Sequence, residues 1–188
     1  MVAYLKNNFF LVLTIVVLPF VVSSSYGNFS TMVTKDEINI ICTKEYVNSS
    51  LCFELLKSIP KISALDFNGL TKFLIKYQSR NVSDALNQIK MYAGNATDLQ
   101  TIDLCVRLYE NTLYDTDHIL KALAAKKYFI VNIYITGLDA NMGICREELV
   151  VMKPRLEVLI TRNKVITNLS SIILCILECY LAKEKAYC

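Results

Sequence analysis

Two cysteines, Cys42 and Cys52, lie close together near the start of the chain, between apolar segments. Their spacing alone leaves three possibilities: a metal site, a redox pair or a disulfide. Zinc would need two further ligands at finger-like spacing, and the only histidine in the sequence is His118. A thioredoxin-like centre would need two intervening residues, and the interval here is longer. The compartment decides between these possibilities, because disulfides persist where the environment is oxidising.

Residues 1–25 have the layout of a secretory signal peptide. Lys6 precedes an uncharged, mostly apolar run over residues 9–22, and serines follow at 23–25. The run is short for a membrane span, which takes about 20 residues, although an uncleaved anchor is the alternative reading. We therefore expect a signal peptide at 1–25, export, one domain over 26–188, and no membrane attachment after cleavage. Export favours a disulfide between Cys42 and Cys52.

Export also fits the N-glycosylation sequons of the chain. The sequon at Asn81 lies close to the apolar stripe of a predicted helix, so a glycan is less expected there. The predicted glycosylation sites are Asn28, Asn48, Asn95 and Asn168.

Apolar residues recur at helical spacing through most of the mature chain, which predicts an all-α fold. Short helical pieces are expected over 35–58, interrupted by Pro60. Longer helices are expected over about 65–93, 97–124, 127–149 and 154–183, the last with Pro154 in its first turn. Four such helices joined by short turns predict a four-helix up-and-down bundle over about 65–183. The predicted core stripes are Leu70, Phe73, Leu74, Tyr77, Ala85, Ile89 and Tyr92, then Leu99, Ile102, Cys105, Val106, Tyr109, Leu113, Leu120 and Leu123, then Val131, Tyr134, Leu138, Met142, Cys145 and Leu149.

Cys105 and Cys145 lie on the core-facing stripes of consecutive helices, which predicts a second disulfide. Closing a loop of about 40 residues stabilises a fold by about 3–4 kcal/mol on the chain-entropy account. Cys175, Cys179 and Cys188 are left over, so at least one thiol is unpaired within the monomer or is paired between chains. A bond between Cys175 and Cys179 would strain a helix, and Cys175 is expected to be a buried free thiol.

The sequence contains no motif for catalysis or for a cofactor. It has no Gly-rich phosphate loop, no G-x-S-x-G elbow and no cluster of metal ligands. His118 falls on the polar side of its helix, where an exposed histidine is ordinary. The net charge of +3 is too small for a nucleic-acid footprint. We expect a binding protein without catalytic residues, metal or cofactor, and a hydrolase is the weakest alternative.

Five segments, in order, resemble the plant invertase and pectin methylesterase inhibitor family over about 36–182. They read INIICTKEYVNSSLCFELLKSIP, ALDFNGLTKFLIK, LCVRLYENTL, KKYFIVNIYITGLDANMGICREEL and LITRNKVITNLSSIILCIL. The resemblance implies an N-terminal helical hairpin over about 35–60. It also implies a secreted protein of the plant cell wall, or apoplast, rather than of the vacuole. Such a protein would bind a carbohydrate-active enzyme 1:1 and cover its active-site cleft.

The target implied by the resemblance depends on the start of the third bundle helix. Many invertase inhibitors carry Pro-Lys-Phe there, whereas this chain reads Lys127-Tyr128-Phe129. The segment Tyr128-x-x-x-Asn132-Ile133-Tyr134 is similar to the pectin methylesterase inhibitor version, so pectin methylesterase is favoured as the partner. An acid invertase is the alternative. A non-inhibitory structural or signalling wall protein is the other alternative, because the preceding helix lacks the acidic residues common in pectin methylesterase inhibitors.

The outer side of the third bundle helix is the predicted partner-binding face. Its residues are mostly small or uncharged, which lets a partner approach the backbone, and an exposed aromatic suits an interface. A plain solvent-exposed face is the alternative. The predicted contact residues are Phe129, Asn132, Thr136, Ala140, Gly143 and Glu147, with Arg107, Asn111 and Tyr114 of the preceding helix as an extension.

Overall fold

The computed structural model describes residues 32–95 and 98–182, without the side chain of Asn95. The predicted signal peptide, Asn28 and Cys188 therefore lie outside the described residues. The helices are α1 (Lys35–Cys42), α2 (Ser49–Ser58), α3 (Phe67–Tyr92), α4 (Leu99–Ala124), α5 (Tyr128–Val151) and α6 (Glu157–Ile176). A π-helical turn, Leu177–Leu181, follows α6, and short 3₁₀ turns cover Ile62–Ala64 and Ala93–Asn95.

The helices α1 and α2 form the N-terminal hairpin. The side chains of Thr34 and Glu37 cap the start of α1 reciprocally, and Oδ1 of Asn48 accepts a 3.1 Å hydrogen bond from the Leu51 N–H at the start of α2. The disulfide Cys42–Cys52 joins the two helices. Their buried side chains pack in one core cluster with those of the C-terminal half of α6.

The helices α3 to α6 form a closed four-helix bundle, as predicted. Contacts run from α3 to α4, from α4 to α5, from α5 to α6 and back from α6 to α3. A buried polar link also joins α3 to α6, since Nε2 of Gln78 donates to the Ile166 carbonyl at 3.0 Å and to Oγ of Ser170 at 2.8 Å. The bundle and the hairpin confirm the predicted fold class.

Both predicted disulfides are confirmed. The bond Cys105–Cys145 crosses from α4 to α5, and both cysteines are fully buried. Cys175, on α6, is a buried free thiol, as expected. The two bonds therefore constrain different parts of the chain: one closes the hairpin and the other joins the two middle helices of the bundle.

Most of the predicted core residues are buried, the others are partly buried, and the two that are exposed lie at helix ends. Tyr92 is 41% exposed and Leu99 is 60% exposed, so their prediction as core residues was wrong. Both lie beside the turn between α3 and α4. The apolar stripes of these helices extend to this turn, but no neighbouring helix covers them there. Ile119 and Ile135 are buried and were missed.

The start of α6 also differs from the prediction. The helix begins at Glu157, so Pro154 precedes it and does not occupy its first turn. Buried Met152 and Leu156 flank this proline, and their side chains anchor the connection in the core. The segment Glu157–Leu181 is long and apolar enough to cross a membrane. Packing explains its apolar character, because its apolar residues include Leu159, Ile166 and Leu169, which are fully buried in the bundle.

Candidate partner-binding face

The outer side of α5 differs chemically from the outer sides of its neighbours. Within α5, all of which the structure describes, no exposed residue before Glu147 is charged. The exposed positions of α3 and α4, by contrast, carry charged side chains along their whole length. We name as the α5 face the residues Phe129, Asn132, Ile133, Thr136, Ala140, Gly143, Ile144 and Glu147.

Large apolar side chains protrude from the α5 face. Phe129 is 75% exposed, Ile133 is 52% exposed and Ile144 is 46% exposed. Phe129 was predicted as a contact residue from the sequence, but the two isoleucines were not. The prediction was restricted to small and uncharged positions, and these isoleucines are displaced by about 60–80° from the centre of those positions at 100° per residue. Their recurrence along one side of the helix was the available signal.

The other predicted residues of the α5 face occupy two environments. Thr136, Ala140 and Glu147 are exposed, whereas Asn132 and Gly143 are partly buried. Asn132 lies at the edge of the face next to the end of α6, where its Nδ2 is 3.4 Å from Oε1 of Glu178. The face therefore has an open middle and a polar border toward the π-helical turn.

Tyr114 is brought to α5 by a row of rings. The centroids of the Tyr114 and His118 rings are 5.5 Å apart, and the His118 ring stacks on Tyr134 of α5 at 6.2 Å and 10°. This row makes the surface continuous from α4 to α5 at Tyr114, which is 74% exposed. His118 thus has a packing role between two tyrosines.

Arg107 and Asn111 are less closely tied to the α5 face. Both are exposed on α4, and the contact of Arg107 is with Asp103 of its own helix, at 3.4 Å. The structure therefore places Tyr114 in the row of rings that reaches α5. Arg107 and Asn111 are exposed on the same helix, nearer to its start than Tyr114 is.

A small concave site lies at the end of the α5 face where α5 begins. Its volume is about 160 Å³, and it is lined by Tyr128, Phe129 and Asn132 of α5 and by Leu177, Glu178 and Ala182 after α6. π-helical turns are uncommon and occur often at functional sites. A protruding side chain of a partner would fit a depression of this size beside Phe129.

One carboxylate, Asp139, lies on the inner edge of α5, toward α6. Burial raises the pKa of the Asp139 carboxyl above its ordinary value, although the positive charge of Arg146 and the nearby Ser170 hydroxyl act in the opposite direction. Its Oδ1 is buried and has no hydrogen-bond partner among the described residues. Asp139 is therefore a weakly solvated acid behind the α5 face and does not add an exposed charge to it.

Among the described residues, no group of His, Cys, Asp and Glu side chains could hold a metal ion. The α5 face and its border offer protruding apolar side chains, the exposed aromatics Phe129 and Tyr114, and a polar border, which are features suited to surface contact.

Known proteins resemble this chain in sequence and in fold. Two crystal structures of pectin methylesterase inhibitors from Arabidopsis superpose on it. One, a mutant form A, has a TM-score of 0.69 and 19% identity, covering 76% of this chain and 95% of the other. The second has a TM-score of 0.59 and 18% identity, covering 79% and 98%. No curated relative matches the chain.

The sequence profile described as plant invertase/pectin methylesterase inhibitor matches residues 36–176, a range that takes in nearly the whole hairpin and the four bundle helices through the end of α6. The chain therefore belongs to the plant invertase/pectin methylesterase inhibitor family.

Proposed function

We propose that the protein is a secreted inhibitor of pectin methylesterase that binds the enzyme 1:1 through the α5 face and covers its active-site cleft. The observation that carries this proposal is the outer side of α5, which is partly apolar and has no exposed charged residue before Glu147. Burying charged groups in an interface costs several kcal/mol per unpaired ion, so a face with few of them is less costly to cover. Exposed Phe129 and Tyr114 supply the aromatic anchors that dominate many interfaces.

The choice of pectin methylesterase over acid invertase has two supports. The segment that includes Tyr128, Asn132 and Tyr134 is similar to the pectin methylesterase inhibitor version, and the two solved structures named above are described as pectin methylesterase inhibitors. Inhibition would be steric, since no covalent step is needed to close a substrate groove. The site of action would be the cell wall, and the proposed signal peptide at 1–25 would direct the export of the chain.

The test is a pair of inhibition assays with the purified protein, one against a plant pectin methylesterase and one against an acid invertase, both at mildly acidic pH. We expect the methylesterase activity to fall to a plateau at one inhibitor per enzyme while the invertase activity is unchanged. Inhibition of invertase alone would identify acid invertase as the target and would overturn the choice of pectin methylesterase. Inhibition of neither enzyme would favour a structural or signalling role and would overturn the proposal.

A further inference from the structure

A second concave site lies on a different side of the bundle from the α5 face. It is a cleft of about 550 Å³ between α3 and α6, and Leu51 of α2 forms part of its wall. Sites for small molecules usually have volumes of about 300–1,000 Å³. The helices that form this cleft do not include α5, so the cleft and the α5 face can be occupied at the same time.

The walls of the cleft are largely apolar. Tyr77 of α3 and Val165 of α6 are partly buried, and Val158, at the start of α6, is 55% exposed. Together with Leu51 they offer an aliphatic and aromatic surface that water covers poorly. A ligand with a ring or a short hydrocarbon chain would remove this surface from water, at about 25 cal/mol for each Å².

One cation, Arg162 of α6, lines the cleft and is incompletely paired. A guanidinium has five N–H donors. In the described structure Arg162 donates one hydrogen bond, from Nη1 to Oδ2 of Asp84 at 3.3 Å, and its buried Nε has no partner. The Arg162 side chain is 25% exposed and that of Asp84 is 63% exposed. The cation is thus partly withdrawn from water while its counter-ion is hydrated, which favours a second anion on the cleft side.

Among the remaining polar groups of the cleft, only Glu157 opposes an anion. Thr161 and Asn81 are neutral, and Nδ2 of Asn81 already donates to the Tyr77 carbonyl at 2.9 Å. Glu157 carries the other charge, and its carboxylate is held by Arg155 at 3.2 Å. The cleft therefore combines an apolar wall with one available cation.

We propose that this cleft binds an organic carboxylate with an apolar body of ring or short-chain size. The carboxylate would pair with the Arg162 guanidinium, and the apolar body would lie against Tyr77, Val158 and Val165. Planar guanidinium and planar carboxylate form paired hydrogen bonds that a neutral head group cannot reproduce. The site is separate from the surface proposed to bind the enzyme, and its ligand would bind whether or not the protein inhibits anything.

The experiment is isothermal titration calorimetry on the full secreted chain with two acids, octanoate and 3-phenylpropanoate, and with octan-1-ol as the neutral control. Production in a bacterial periplasm allows the disulfides to form and leaves Asn81 without a glycan. We expect saturable 1:1 binding of at least one acid and at least tenfold weaker binding of octan-1-ol. Absence of saturable binding by both acids, or equal binding of octan-1-ol, would overturn the proposal.

Three variants locate the binding. Arg162→Gln removes the cation, and we expect at least tenfold weaker acid binding. Val158→Trp fills the cleft from an exposed position while Arg162 is kept, so the fold is preserved, and it should weaken binding to a similar degree. Lys164→Gln removes the same charge from an exposed position of the same helix outside the cleft lining and should leave binding unchanged. The proposal fails if Lys164→Gln weakens binding as much as Arg162→Gln, or if neither cleft variant weakens it.

Discussion

The phenol of Tyr109 donates a 2.8 Å hydrogen bond to Oδ1 of Asn163, joining α4 to α6 across the centre of the bundle. Both residues are fully buried. Burial raises the pKa of Tyr109 to about 12, so the phenol keeps its proton at the pH of cells and of cell walls. Nδ2 of Asn163 has no partner among the described residues, so this amide depends on Tyr109 for its one side-chain hydrogen bond.

Tyr109→Phe should lower the free energy of unfolding by about 1–3 kcal/mol, because it leaves a buried amide oxygen without a donor. Urea unfolding followed by circular dichroism measures the change. The double variant Tyr109→Phe with Asn163→Leu should recover part of the loss, since both polar partners are then gone. Equal stability of Tyr109→Phe and the wild type would show that the hydrogen bond contributes nothing.

Asp139→Asn should raise the melting temperature at pH 7. Folding raises the pKa of Asp139 from its ordinary 3.8, mainly through burial. The stability that this group contributes is therefore fully present below its ordinary pKa of 3.8 and is lost as the pH rises through the folded-state pKa. The advantage of the amide should shrink as the pH falls toward 4.

Melting curves at pH 4, 5, 6 and 7 test this prediction, with Asp117→Asn as the matched control. Asp117 is an exposed carboxylate on α4, and its replacement should leave the pH profile of the wild type unchanged. A constant difference between Asp139→Asn and the wild type across the series would contradict the prediction.

Thr136→Arg should weaken inhibition of pectin methylesterase at least tenfold. Thr136 is exposed in the middle of the α5 face, so a long charged side chain there would have to be desolvated or displaced when the enzyme binds. The concentration for half inhibition is the measurement, and a bulky charged residue at Asn132 should act in the same direction. Asn87→Arg, at an exposed position of α3, makes the same kind of change away from the face. The α5 face would be excluded if the two arginine variants inhibited equally well.

Asn48 is expected to carry a glycan in protein secreted from a plant cell. It is exposed, and its Oδ1 caps α2 by accepting the Leu51 N–H, which leaves the amide nitrogen available for the sugar. Peptide mass spectrometry should find the glycan. Ser50→Ala removes the sequon but keeps the cap, whereas Asn48→Gln removes both and should cost a further ~1 kcal/mol of stability. An unmodified Asn48 peptide from the wild type would refute the assignment.

Asn168 and Asn81 present their amides differently. Asn168 is partly buried in the middle of α6, and Asn81 is partly buried with its Nδ2 bonded within α3. Occupancy at Asn168 stays a prediction of the sequence, as does that at Asn28 and Asn95.

The bundle could be predicted because its helices follow a 3.6-residue period over many turns. The predicted stripe of α5 placed Val131, Leu138 and Met142 in the core, and all three are buried. The prediction failed for two different reasons. Leu99 continues the stripe of α4 beyond the last neighbouring helix, so the period alone could not show that it is exposed. Ile135 lies four residues after Val131 and three before Leu138, so it fits the period and was left out of the prediction. The residue at which α6 begins depends on the local backbone conformation after Pro154, which the hydrophobic pattern does not specify.

The candidate face was only partly predictable, because one helix pattern does not show which residues of other helices lie beside it. Phe129 and Thr136 could be placed on the outer side of α5 from the sequence. The ring contact from Tyr114 through His118 to Tyr134 depends on how α4 and α5 cross. The cleft beside Arg162 is formed by α2 and α3 together with α6, which is distant from them in sequence, so the sequence offered no sign of it.

The hairpin is synthesised first, yet it packs on the helix that is synthesised last. Ile41 and Leu56 are completely buried in the cluster that they share with the C-terminal half of α6. At translation rates of about 5–20 residues per second, about 100 residues separate the two events by roughly 5–20 s. During that interval the apolar side of the hairpin has no native neighbour to cover it, so the nascent chain offers chaperones a binding segment well before the bundle is complete.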